Sequence, residues 1–151
     1  MIYEKIPEEK YKYIMENMPF CCVDLIVCFN KKVLLIKRKE HPAKNEFWFP
    51  GGRIYKNEKV SDAVKRKAFE EIGANVKIER KIGCYETFFK ESIFNDLKTG
   101  THTISIVYLT SLLNSDISLD ETSSEFRWID KIENTLHSHV RKVLKDSKIF
   151  D

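Results

Sequence analysis

Arg66, Glu70 and Glu71 fall together on one predicted helix, with Glu58 ahead of it and the glycine pair Gly51-Gly52 further upstream. Carboxylates gathered in a small volume repel one another unless a dication or an arginine offsets their charge. Two adjacent glutamates beside a turn whose backbone approaches closely offer the oxygen ligands that a hard divalent cation takes. Magnesium suits such a place, because it keeps several waters and shares itself with substrate phosphates. Arg66 and Glu70 stand four residues apart, as do Lys67 and Glu71, so the four charges border the buried face of the helix. Taken alone, such pairs are surface ion pairs of little worth. The adjoining Gly-Gly turn shifts the reading to a metal site.

The elements that must position these groups follow from periodicity. Val60, Ala63, Val64, Ala68 and Ile72 form one apolar stripe, and Gly73 stands where a left-handed stop is expected, which predicts a helix over Val60–Ile72. Two apolar runs, Val23–Phe29 and Val33–Arg38, flank the polar turn Asn30-Lys31-Lys32 and predict a hairpin. Asp24 interrupts the first run, and a buried aspartate needs either an arginine or backbone partner or a ligand. Phe47-Trp48-Phe49-Pro50 reads as a short aromatic strand that delivers the chain into Gly51-Gly52, with Trp48 and Phe49 as packing anchors. An extended stretch runs from Val76 to Phe89, a polar loop spans Lys90–Gly100, and Thr101–Leu113 reads as a central strand carrying His102 as a structural hydrogen-bonder. A polar loop over Asn114–Ser124, a strand over Glu125–Ile129 and a closing helix over 131–147, with His137, His139 and Arg141 on its first half, complete the chain. Residues 1–18 predict a helical arm, begun by Pro7 and ended by Pro19, that packs on its own domain or else reaches a partner subunit. Tyr11 in that arm is a core aromatic or a platform on which a base stacks. Strands on both sides of one central helix predict an α/β fold with a mixed sheet sandwiched between helices.

At 151 residues the chain reads as one domain with a substantial core. Its net charge of +3 is small and interspersed, which gives no nucleic-acid footprint. Cys21, Cys22, Cys28 and Cys84 have neither C-x-x-C spacing nor a partnered histidine, and read as small buried hydrophobes of a reduced protein. Neither a signal peptide nor a membrane span is visible, so a cytoplasmic protein is expected.

The spacing from Gly52 through Glu58, Arg66, Ala68, Glu70 and Glu71 to Gly73-Ala74 resembles the Nudix box. That resemblance implies an α/β/α sandwich and a hydrolase of nucleoside diphosphates linked to another group, working with magnesium or manganese. It implies metal ligation by the Gly51 carbonyl, Glu70 and Glu71, with Arg66 orienting the glutamates through Glu58 or a box carboxylate. Lys67 stands where most members carry glutamate; a protonated lysine is neither ligand nor base, and would compete with a cation.

The chain is also similar over nearly its whole length to GDP-mannose mannosyl hydrolases. The shared residues are Pro19 with Asp24-Leu25-Ile26-Val27, Lys37-Arg38, Pro42-Ala43, the run from Phe47 to Arg53, Asp120-Glu121, Arg127-Trp128 and the segment from His137 to Arg141. This resemblance implies water attack at the sugar C–O bond with GDP leaving, Arg38 and Arg53 on the diphosphate, Asp24 on the nucleotide sugar, and a homodimer paired through Tyr3–Met18. Ser123 occupies the position of that branch's general base and cannot take a proton from water near neutral pH. Glu121, Glu125 or His102 is the expected substitute. Attack at phosphorus, as on ADP-ribose, and a Nudix-fold binding module for nucleotide sugars are the alternatives.

Overall fold

The apolar runs flanking Asn30 and Lys31 pair as a hairpin, β1 (Phe20–Phe29) and β2 (Lys32–Arg38), in the computed structural model, which describes residues 4–151. Asn30 and Lys31 both have positive φ, 50° and 62°. Two-residue turns of that kind twist with the flanking strands and so keep the hairpin paired.

The sheet is mixed, as expected, and has seven strands. β6 (Thr101–Leu112) runs parallel to β1 in register from Phe20 opposite Thr103 to Cys28 opposite Ser111, and β5 (Val76–Phe89) lies antiparallel on its far side. β3 (Phe47–Trp48) and β7 (Ser123–Ile129) both pair with β2. β4 (Gly51–Arg53) pairs with the first half of β1, over Cys22–Asp24, whereas β2 pairs with its second half, over Val27–Phe29. Both use the edge of β1 away from β6. The edge of β1 thus passes from β4 to β2 beside Leu25 and Ile26, where the Leu25 amide donates to the Pro50 carbonyl at 2.8 Å, and Asp24 lies opposite Gly51.

Alternation along β1 feeds two cores. Val23, Leu25 and Val27 pack with Leu34 and Ile36 under Ala63, Val64, Ala68 and Ile72 of helix α2 (Val60–Ile72). Ile26 packs on the other face with Val33, Leu35 and Val107 under Val140, Val143 and Leu144 of α3 (Ser138–Ser147). Helix α2 has the predicted limits, and Gly73 closes it in the left-handed conformation, φ 63°. Helix α1 (Glu8–Asn17) lies on its own domain: Met15 is buried, Tyr11 packs 5.1 Å from the Phe20 ring, and Lys12 pairs with Asp96 at 3.0 Å. Tyr3 lies outside the described residues.

The structure corrects several boundaries and environments. The closing helix begins at Ser138 rather than 131, because the His137 side chain caps it by accepting a hydrogen bond from the His139 amide at 3.1 Å. His137 and His139 do not decorate a surface; both rings pack on Trp48, at 5.1 and 5.2 Å. β7 starts at Ser123, two residues earlier than expected. His102 stacks on Phe88 at 4.3 Å, and its buried Nε2 has no hydrogen-bond partner among the described residues. All four cysteines are free, as read, yet Cys21 and Cys84 are exposed rather than core residues. Among the described residues no helix is long and apolar enough to cross a membrane.

Candidate active site

Glu71 is the pivot of the site. It comes from the last turn of α2 and its side chain is 9% exposed. Its Oε2 accepts a hydrogen bond from the Gly51 amide at 2.8 Å, which ties α2 to the start of β4. Burial pushes the Glu71 carboxyl upward, and the Lys67 ammonium and Gly51 N–H pull against that. Glycine is required at position 51, because a Cβ there would run into the Val23 carbonyl and the Asp24 carboxylate. Gly51→Ala is expected to lower stability by about 3 kcal/mol, the upper range for overpacking of a close-packed site. Chemical denaturation with an unchanged m-value would record it.

Arg66 organises the outer side. Its Nε and Nη2 donate to Glu58 at 2.6 and 2.9 Å, Nη2 also donates to the Arg53 carbonyl at 2.9 Å, and Nη1 reaches Glu70 at 3.1 Å. The predicted alternatives for Arg66, Glu58 or a box carboxylate, are thus both realised. The Arg66 hydrogen bond holds the Glu58 carboxyl below its ordinary range. Lys67 points at both remaining acids, with Nζ 3.2 Å from Glu70 Oε2 and 3.4 Å from Glu71 Oε1. Burial works against its charge, but Glu71 and Glu70 outweigh it and hold the lysine protonated.

Asp24 lies beside this cluster, opposite Gly51 in the β1–β4 pairing. It is 7% exposed, and burial pushes its carboxyl up to about 7 despite a hydrogen bond from Ser105; Glu71 raises it further and Arg38 lowers it. Arg38 is aimed by its Nε donating to the Pro42 carbonyl at 2.7 Å. Arg53 stands between two aromatic rings, Tyr11 at 5.4 Å and Tyr55 at 5.2 Å.

One cavity of about 210 Å³ joins Tyr11, Asp24, Arg38, Gly51 and Arg53. Its floor carries the hydroxyls of Thr87, Thr103 and Ser105, and Trp48, Phe49 and Phe89 supply apolar wall. Thr87 and Thr103 are hydrogen-bonded to each other. These threonines and the serine have no local sequence signature; only the pairing of β6 with β1 and β5 brings them beside Asp24. Glu40 and His41 also line the mouth and were not anticipated.

The structure does not bring Glu121 and Glu125 to this cavity. Both are exposed, and Glu125 pairs with Lys37 at 3.2 Å. Ser123 is buried in β7 opposite Arg38. From the same loop it is Asp120 that approaches: its amide donates to the Glu71 carbonyl at 3.4 Å, and its charge raises the Glu71 carboxyl.

A glutamate pair at the end of α2, an arginine bracing it and a glycine turn feeding a cavity with two further arginines match a known arrangement. The NUDIX domain model matches residues 21–146. The chain belongs to the Nudix family. It is a Nudix hydrolase. It is 31% identical over 140 residues to the low-salt glycan biosynthesis protein Agl8 of Haloferax volcanii, covering 93% of this chain and 89% of that one. It is 31% identical over 137 residues to the ADP-ribose pyrophosphatase of Methanocaldococcus jannaschii, covering 89% of this chain and 76% of the relative. Among solved structures, the Burkholderia pseudomallei MutT Nudix hydrolase superposes with a TM-score of 0.69 at 24% identity, over 86% of this chain and 98% of that one. The MutT protein of Methanosarcina mazei gives a TM-score of 0.71 at 20% identity, over 88% and 94%. These two likenesses carry the fold, an α/β architecture with the Nudix loop and helix set against a mixed sheet.

Nudix hydrolases generally use divalent metals, and the donor set here fits one. Glu70 and Glu71 converge on a single cationic atom, Lys67 Nζ, so their oxygens already share a cation-sized position. Among the described residues no three His, Cys, Asp or Glu side chains are grouped to hold a metal by themselves. Backbone carbonyl, water and phosphate oxygens must complete the shell, which is the coordination magnesium favours.

Proposed function

We propose that this chain is a magnesium-dependent hydrolase of nucleoside diphosphate sugars, of the GDP-mannose type, releasing nucleoside diphosphate and free sugar. The observation that carries this reading is the single cavity holding Arg38, Arg53 and Asp24 beside the Glu70–Glu71 pair. Arg38 and Arg53 bind the diphosphate through charge-assisted hydrogen bonds. Asp24, Ser105 and Thr103 offer acceptors and donors to sugar hydroxyls, and Tyr11 gives the base a ring to lie against. Glu70, Glu71 and the Gly51 carbonyl hold magnesium (or manganese), which would neutralise diphosphate charge and stabilise the leaving nucleotide. Arg66 keeps Glu70 in place.

Cleavage at phosphorus is the second reading, and the relative named ADP-ribose pyrophosphatase favours it. Both readings share a substrate class, a nucleoside diphosphate joined to a sugar, and a cytoplasmic location is part of the proposal. A homodimer through α1 is part of the proposal, since Tyr13 on that helix and Met18 just after it are exposed at 68% and 61%.

A panel of nucleoside diphosphate sugars assayed with magnesium and with EDTA tests the reading. At least one substrate is expected to turn over only with metal. Arg38→Ala and Arg53→Ala should each lower kcat/KM by roughly a hundredfold, the loss expected for a charged hydrogen-bonding partner of the substrate. Absence of turnover across the panel, with tight substrate binding, would instead describe a binding module.

A further inference from the structure

We infer that Lys67 is an internal counter-cation of the Glu70–Glu71 pair, displaced by the divalent metal and then available to the diphosphate in the cavity. The inference rests on the metal and diphosphate reading above, and adds to it a residue that couples the two.

The Lys67 ammonium contacts both carboxylates, at 3.2 and 3.4 Å, and the side chain is only 16% exposed. A dication seated on those same oxygens would lie within a few ångströms of the ammonium, and like charges that close in a desolvated place repel strongly. Metal binding must therefore evict the lysine. Evicting it breaks the largely buried ion pair with Glu71, so the free enzyme holds metal less tightly than its two glutamates alone would.

The route out is built into the turn. Lys67 lies against Gly52, where a Cβ would come 2.6 Å from Cε and 3.0 Å from Nζ. Gly52 lines the cavity that contains Arg38 and Arg53. Because Gly52 has no side chain and φ of 154°, the flexible lysine stem lies beside the cavity with only backbone between. Arg66 has no such freedom, fixed as it is on Glu58, Glu70 and the Arg53 carbonyl. Once released, the ammonium gains a new partner when a diphosphate fills the cavity. Metal then favours diphosphate, and diphosphate favours metal, to the same extent.

Two measurements decide it. Titration with Mn²⁺ alone, read by electron paramagnetic resonance, should show Lys67→Met binding on the order of tenfold tighter than the wild type. Reductive methylation of the wild type, read at Lys67 by mass spectrometry, tests the same step without any substitution. Lys67 should be protected in EDTA, modified with Mg²⁺, and protected again with Mg²⁺ and inorganic pyrophosphate. Equal Mn²⁺ affinity in the two proteins, or Lys67 methylation indifferent to Mg²⁺, overturns the inference and leaves the metal reading standing. Failure of both proteins to bind Mn²⁺ overturns the metal reading and the inference with it.

Discussion

Asp24→Asn is expected to raise the melting temperature of the metal-free protein at pH 8 while weakening its catalysis. Burial holds the Asp24 carboxyl at about 7 against an ordinary 3.8. Below pH 4 the group is neutral in both folded and unfolded chains, and it costs nothing. Between about pH 4 and 7 the unfolded chain ionises first, so stability falls as pH rises; above 7 the loss is complete. A shift of that size corresponds to on the order of 4 kcal/mol, and roughly 2–4 °C per kcal/mol in melting temperature for a chain of this length. Asparagine carries no charge to desolvate, so the difference between variant and wild type should grow from pH 4 to 7 and then level. Thermal melts in EDTA across that range check it, and parallel curves would contradict it. The same substitution takes a negative acceptor away from the proposed sugar subsite, so kcat/KM should fall as stability rises. Such opposition is expected where a buried charge is kept for a ligand.

Arg66→Ala is expected to be the most damaging single change in the box. Arg66 is the partner of Glu58, whose side chain is 6% exposed, and it also holds Glu70 and the Arg53 carbonyl. Removing it strips the Glu58 carboxylate of its forked partner and leaves it, among the described residues, the Tyr55 amide at 3.1 Å. Breaking a buried pair from one side costs about 3–5 kcal/mol. Arg66→Lys should recover little of this, because an ammonium cannot serve the forked contacts to Glu58 and the carbonyl together. Denaturant unfolding of the two variants measures the loss. Substrate turnover should fall with it, since Arg53 and Glu70 are both set by the same guanidinium. The double variant Arg66→Met with Glu58→Met should regain much of the stability and none of the activity.

Local signals made α2 legible to its last residue. Its apolar stripe, Gly73 and the four charges on its border all follow from the 3.6-residue period, and the structure places Arg66, Lys67, Glu70 and Glu71 as that period requires. The hairpin was equally local, a polar turn between two apolar runs. The closing helix reads too long from sequence because Ile132 and Leu136 continue the apolar spacing, while its start, a histidine cap at His137, has no strong propensity to announce it. Asp24 could be read as needing a partner, yet its partner could not be read. Ser105 reaches it through a parallel pairing separated by about eighty residues of chain, and Glu71 comes near through its bond to Gly51, which pairs with Asp24. The hydroxyl floor of the cavity was invisible for the same reason. Chemistry and position in a loop point to Glu121 and Glu125; the loop instead turns Asp120 toward α2 and leaves both glutamates outside the cavity.

Hydrolysis in ¹⁸O-labelled water, run with magnesium on the nucleoside diphosphate sugar that the panel selects, tests the central claim most directly. Mass spectrometry of the products assigns the oxygen that water delivered. Attack at the sugar C–O bond predicts label in the sugar and none in the nucleoside diphosphate, with Glu71→Gln abolishing product. Label in a phosphate, or hydrolysis that proceeds unchanged in EDTA, would contradict it.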